Sequence, residues 1–292
     1  MKNMDIKQEP QIRTNIRNLT PNEVYILDQM AEIDGRNPGL NDGEFLYNDD
    51  GNGFIAAIEG TEVIGTISFV SYENNLGFIG LHIVVPHHKD SGLTEKLLSV
   101  VMDAAGERNI GTNCCEENIL LYESAGFKPA FKIITYEGIA DGVSQNLPHF
   151  ISCPFMVSPD KLYNYYRKSF PYERKFFTSL WINQPGSLLL GKYEDNKYKG
   201  YGLFKPCRKG YRLSPLVSDD PQSAKEILTA LVSHFQAGTP YYLDIPETNE
   251  EGILLADELK LKKISETIRM YRGKEHEISL SNAYSFTSRE IG

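Results

Sequence analysis

The residues whose types and spacing hold the most chemistry lie between Ile83 and Thr94, in the run IVVPHHKDSGLT. An apolar strand closes at Val85-Pro86, and a polar loop with Lys89, Asp90, Ser91 and Gly92 follows. Then Leu93, Leu97, Leu98, Val101 and Ala105 recur at helical spacing. A strand that passes through a Gly-containing loop into a helix aims backbone N–H groups and the positive helix end at one point, where phosphate binds. Gly92 lets backbone come close, Lys89 adds a positive charge, and Ser91 and Thr94 supply hydroxyls. His87-His88 has no companion Cys or Glu at ligand spacing and reads as polar loop.

The elements that must position these groups alternate between strand and helix. Ile12 to Leu19 reads as a strand, and Thr20-Pro21 with Glu23 starts a helix that ends near Asp34-Gly35. Residues 37–53 form a long loop around a short helix at Glu44-Phe45. Two strands, 54–58 and 63–72, form a hairpin around Glu59-Gly60-Thr61. Another turn at Glu73-Asn74-Asn75 leads into strand 78–85, and the helix behind the loop covers 92–107. A strand at 110–114, a helix at 116–124 and a strand at 130–137 complete the first half. The stretch 141–155 is unpatterned and reads as a boundary. Beyond it come helices at 159–169 and 172–183 and strands around Glu194-Asp195-Asn196. A strand at 211–217, helix 221–236, strand 241–245, helix 250–259 and strand 263–271 close the series.

The halves repeat weakly at an offset of about 131–135 residues. Gly65 matches Gly200, Gly77-Phe78 matches Gly210-Tyr211, Val85 matches Val217, and Asn118 matches Asn249. Matching element order at a fixed offset indicates a duplicated domain.

At 292 residues the chain suits two domains, with 41% hydrophobic and 24% charged residues. A net charge of −9 argues against nonspecific nucleic-acid binding, which rests on Lys and Arg neutralising phosphates. No apolar run approaches the roughly 20 residues of a membrane span, and the polar N-terminus lacks a signal-peptide core. The expectation is a cytoplasmic protein with no membrane or nucleic-acid partner. Four cysteines, at 114, 115, 153 and 207, include no C-x-x-C pair, so no metal is expected.

Residues 78–94 and 112–127 together resemble the GNAT superfamily of acetyl-CoA-dependent N-acyltransferases. Val85-Pro86 followed by Lys89-Asp90-Ser91-Gly92-Leu93-Thr94 is similar to that family's phosphate loop, with Asp90 and Thr94 standing where the family has small residues. Asn118, Tyr122 and Gly126-Phe127 are similar to its later helix and turn. The resemblance implies tandem GNAT-like α/β folds, each a mixed sheet flanked by helices. The first domain, residues 11–140, would bind acetyl-CoA. Ile83, Val84 and Val85 would pair with the pantetheine arm, residues Lys89 to Thr94 would hold the pyrophosphate, and Asn118 would help hold the cofactor. Tyr122 would be the general acid for the leaving thiolate, with His82 and Glu116 as candidate bases. Asp42, in the loop that resembles the family's substrate segment, is a candidate for holding a cation.

Gly200-Tyr201-Gly202, Tyr211-Arg212-Leu213-Ser214-Pro215-Leu216 and Leu243-Asp244-Ile245-Pro246, with Asn249 and Arg269-Met270-Tyr271 beyond, make the second half, residues 150–275, resemble the C-terminal domain of two-domain bacterial members. Its loop reads Ser218-Asp219-Asp220-Pro221, with no Gly and two acids that suit helix capping instead. This domain is expected not to bind CoA and to shape the substrate site or a dimer interface. Residues 1–10 and 276–292 are expected to be peripheral tails. The implied reaction is direct acetyl transfer to a primary amine on a small molecule or peptide, with a homodimer left open. A CoA-binding sensor without turnover and a non-catalytic interaction protein are the alternatives.

Overall fold

The computed structural model describes residues 14–49, 51–72, 75–143, 150–152, 159–170, 172–195 and 197–292. The expectations for Ile12-Arg13, for Glu73-Asn74, for Asn196, for residues 1–10 and for most of the 141–155 boundary lie outside the described residues.

Local chemistry starts most elements where the sequence places them. Strand β1 (Asn15–Asn18) leads to a 3-10 turn, Pro21–Glu23. There the Glu23 carboxylate accepts from the Thr20 amide at 2.9 Å and from its hydroxyl at 2.7 Å. Helix α1 (Tyr25–Ile33) follows and ends at Asp34, before Gly35. Helix α2 (Asp42–Asp49) is longer than the short turn expected there. Strands β2 (Phe54–Glu59), β3 (Glu62–Tyr72) and β4 (Leu76–Val84) form a meander. Helix α3 (Leu93–Ala105) buries Leu93, Leu97, Leu98, Val101 and Ala105, the face its periodicity marks. Then come β5 (Asn109–Cys114), α4 (Ile119–Ser124) and β6 (Lys128–Ile139).

The second half repeats the order. Strand β7 (Phe150–Ser152) and helices α5 (Pro159–Tyr166) and α6 (Lys175–Trp181) precede β8 (Leu188–Glu194), β9 (Lys197–Cys207) and β10 (Gly210–Ser218). Helix α7 (Pro221–Val232) is capped by Asp220, whose carboxylate accepts from Ser223 N at 2.8 Å. One of the two acids in that loop is thus a helix cap. Strand β11 (Pro240–Pro246), helix α8 (Glu250–Glu258) and strand β12 (Lys262–Arg272) close the repeat.

Among the described residues the strands form one mixed sheet in the order β1-β2-β3-β4-β5-β12-β6-β11-β10-β9-β8-β7. The order is not that of two halves set side by side. Strand β5 pairs with β12, the last strand of the second repeat, and β11 pairs with β6, the last strand of the first. Each half lends its final strand to the other, and β6 and β12 pair with each other at the centre. One core cluster accordingly contains Leu97, Val101 and Tyr122 together with Tyr165, Phe177 and Trp181. Among the described residues no helix is long and apolar enough to cross a membrane.

The C-terminal segment departs from the expectation of a peripheral tail. A short strand, β13 (Ala283–Ser285), pairs with β10, and Tyr284, Phe286, Thr287 and Ile291 are buried. Its low periodicity reflects a path along several surfaces rather than exposure. No single face of it is apolar, because its backbone makes many of the contacts.

Candidate active site

Strands β4 and β5 pair in parallel only from Leu76↔Asn109 to Ile79↔Thr112. Beyond that point β4 keeps only its pairing with β3, through Thr66↔Ile83 and Gly65↔Val84. Residues 80–85 thus turn a backbone edge toward a wedge-shaped cleft. At its apex Leu81 has φ +44°, beside a register shift in the β3–β4 ladder. A branched residue is strained there unless its surroundings hold it. Both of its peptide groups are held: Thr66 Oγ1 donates to Leu81 O at 3.0 Å, and Leu81 N donates to Glu290 Oε2 at 2.8 Å.

At the other end of the cleft, Pro86–Ser91 make a 3-10 turn and Gly92, at φ +76°, starts α3. That conformation favours glycine, and its open surroundings leave room for a ligand. The first amides of α3, from Leu93 onward, have no acceptor within the helix and carry the positive end of its dipole. The side chains of the loop are partly engaged. Lys89 Nζ lies 3.1 Å from Glu117 Oε2, Ser91 Oγ donates to His88 O at 2.6 Å, and Asp90 is exposed. What the loop offers is therefore backbone amides first, with Lys89 on an exposed ion pair beside them.

Tyr122, on α4, is 2% exposed, and its hydroxyl lies 2.9 Å from Nδ1 of His82 on β4. Nε2 of His82 lies 3.1 Å from the Thr94 carbonyl, which can only accept. Nε2 thus carries the proton and Nδ1 accepts from Tyr122. Burial pushes the His82 pKa down to about 4 and pushes the Tyr122 phenol well above its ordinary range. At neutral pH the pair is a neutral imidazole and a neutral phenol. Asn118 and Cys115 line the same cleft, with Asn118 Nδ2 3.4 Å from Cys115 Sγ. Glu116 does not join them. It is exposed, and the charge it influences is that of Lys132, across the sheet edge.

A second cleft lies beside the first. Arg36, Leu81 and Glu290 line both. It lies between α1, the loop before α2, and strands β9, β10 and β11 of the other half. Arg36 NH1 lies 2.7 Å from Glu290 Oε1, Lys205 Nζ lies 2.5 Å from Asp42 Oδ1, and Arg212 is paired with Asp244. Asp42 is therefore committed to a buried lysine and is not a free anchor for a cation. Burial pushes Lys205 down to about 8, with Asp42 opposing the shift. Arg36, Lys205, Arg289 and Glu290 escape a reading of local sequence, because none sits in a spacing that local periodicity would mark.

In the second half the equivalent strands also diverge. Strand β10 pairs with β11 only at Tyr211↔Tyr241 and Arg212↔Tyr242. Here the gap is filled. Strand β13 pairs with β10 at Leu216↔Ser285 and Val217↔Ala283, Asp244 N donates to Ser285 Oγ at 3.0 Å, and Phe286 N donates to Asp244 O at 3.0 Å.

Comparison with known proteins agrees with this architecture. Residues 21–127 match the model of the acetyltransferase (GNAT) family, and residues 162–285 match that of an acetyltransferase (GNAT) domain. Holothin acyltransferase of Pseudoalteromonas sp. (strain SANK 73390) is 22% identical over 270 residues, covering 92% of each chain. A solved structure from Pyrococcus horikoshii superposes over 100% of both chains with a TM-score of 0.80 at 19% identity. A tandem GNAT protein from the clavulanic acid biosynthesis pathway superposes over 90% of this chain and 100% of its own, with a TM-score of 0.64 at 12% identity.

Proposed function

The chain belongs to the GNAT acyltransferase superfamily, with two such domains in tandem, and from that premise we propose that it is a cytoplasmic acetyl-CoA-dependent N-acetyltransferase acting on a primary amine. The observation that carries this reading is the divergence of β4 from β5 beyond Ile79↔Thr112, with Tyr122 in the lining of the cleft and the first amides of α3 following β4 in the chain. An extended thioester of CoA would lie between them. Its pantetheine arm would pair with Ile83, Val84 and Val85, and its pyrophosphate would rest on residues 89–94, at the helix N-terminus.

The amine attacks the thioester carbonyl, a C–N bond forms, and the C–S bond breaks through a tetrahedral intermediate. A free alkyl amine has a pKa near 10 and must first lose a proton. That proton goes to solvent before attack; Tyr122 then gives its hydroxyl proton to the departing sulfur, and its oxygen takes up the proton that the attacking nitrogen releases. His82 acts behind Tyr122 rather than against the amine. The second domain does not bind CoA, a reading supported by the β13 strand in its cleft and by Asp220 at its helix cap.

Tyr122→Phe should lower kcat roughly 100-fold and leave the KM for acetyl-CoA nearly unchanged. An unaltered kcat would remove Tyr122 from the chemistry, and the absence of saturable acetyl-CoA binding would remove the cofactor. A sensor without turnover is the second reading. Asp90, which brings a negative charge to the loop proposed for the pyrophosphate, and the exposure of the candidate base Glu116 favour it. Tight CoA binding with no transfer to any amine would establish that alternative.

A further inference from the structure

The cleft between the two halves holds an imbalance of commitments. Both oxygens of Glu290 are engaged, one by Arg36 and one by Leu81 N. Both oxygens of Asp244 are engaged too, one by Arg212 and one by Thr135 Oγ1 at 2.6 Å. Arg289 lies between these pairs. Its guanidinium makes one long hydrogen bond, NH1 to Thr135 Oγ1 at 3.4 Å, and among the described residues it has no carboxylate within ion-pair distance. Burial pushes its pKa down, Asp244 opposes that shift, and the nearby Arg212 and Arg36 add to it. Four cations, Arg36, Lys205, Arg212 and Arg289, share the cleft with four carboxyl groups. Glu290, Asp42 and Asp244 are each paired with one of the first three cations, and Asp28 accepts from the Gly43 amide at 3.1 Å, so among the described residues Arg289 is the cation of the cleft without an ion pair. Guanidinium is a planar fork that suits carboxylate in two parallel hydrogen bonds.

We infer that this cleft binds the acceptor and that it selects amines bearing a carboxylate, which docks on Arg289. The inference rests on the acyltransferase reading for the word acceptor, but the carboxylate site stands apart from it. Adjacency supports the assignment. The cleft and the Tyr122 cleft are neighbours that share Arg36, Leu81 and Glu290 in their walls, so a carboxylate on Arg289 lies beside the cleft in which the thioester is proposed to sit. Contributions from both halves also explain why a second domain without a cofactor groove is retained.

The molecule carries its own reporter. Trp181 is the only tryptophan, its ring lies 3.5 Å from Lys205 Nζ, and its Nε1 donates to Ser214 O at 2.8 Å. Lys205 and Ser214 both line the cleft. The full-length protein is titrated with ω-amino carboxylates, from glycine to 6-aminohexanoate, and with the matching carboxamides, while Trp181 fluorescence is followed. At least one carboxylate should give a saturable change, and its carboxamide should bind at least about tenfold more weakly. Arg289→Met should reduce the carboxylate to the level of its carboxamide, and Arg289→Lys should fall between. No saturable response to any carboxylate, equal binding of a carboxylate and its carboxamide, or an unchanged Arg289→Met would each overturn the site. The wild-type comparison needs no variant to fold. Acetyl-CoA binding, measured separately as a shift in thermal unfolding, distinguishes the two proposals. Carboxylate selectivity without acetyl-CoA binding sinks acyl transfer and keeps the site. Acetylation of carboxylates and carboxamides with equal efficiency does the reverse.

Discussion

His82 is held neutral at both nitrogens, by a carbonyl on one side and a phenol on the other. Its folded pKa of about 4 lies below the value of 6.5 that the unfolded chain restores. Between those values the unfolded state binds more protons, so stability is complete above pH 6.5 and is lost as pH falls toward 4. His276, also buried and pushed down to about 4, acts in the same direction. Asp28, pushed up to about 6 by burial, acts in the opposite one, because its folded form takes up a proton first. Each histidine should cost on the order of 2 kcal/mol between pH 7 and pH 5. Urea unfolding at the two pH values checks this: His82→Gln should lose measurably less stability over that interval than the parent, and an equal loss would contradict the burial argument.

Strand, loop and helix around Gly92 form a unit whose geometry is local and whose charge is not. The Lys89–Glu117 pair joins that loop to the turn before α4, and both side chains are exposed. Exposed pairs contribute roughly 0–1 kcal/mol to folding, so its exchange for a phosphate costs little. Glu117→Gln should free Lys89, lowering the KM for acetyl-CoA several-fold with kcat unchanged, whereas Lys89→Ala should raise it. Both effects should shrink as salt screens the charge, which steady-state kinetics at two ionic strengths would show. A Glu117→Gln variant with an unaltered KM at low salt would mean that Lys89 does not reach the phosphates.

For the whole molecule, strand exchange makes the two halves one cooperative body. A chain of residues 1–143 would leave β5 without β12 and β6 without either neighbour. Unpaired edges and a bisected core favour aggregation. Such a fragment should show no cooperative unfolding transition, and coexpression with residues 144–292 should restore one. A fragment that folds alone, judged by near-ultraviolet circular dichroism, would contradict the exchange. The C-terminal segment adds to this unity. Glu290 backbone packs so closely on Gly80 that a Cβ there would lie 2.1 Å from its carbonyl oxygen. Tyr72 OH donates to Ile291 O at 2.6 Å.

Short-range physics was legible from the residues alone. The apolar face of α3, the Thr20–Glu23 and Asp220 caps, the Gly92 turn and the repeat offset all act within a few residues or recur at a fixed period, and so they specify the two repeats and the strand–loop–helix around Gly92. The tertiary structure decided which strand completes which half, that residues 283–291 are core rather than tail, that Glu116 stays outside the cleft, and that Arg36, Arg289 and Glu290 meet beside Leu81. Those outcomes depend on edge strands finding partners and on charges brought together across as many as 254 residues of chain. Neither carries a local period or a cap, because the free energy that selects them exists only once the sheet has closed.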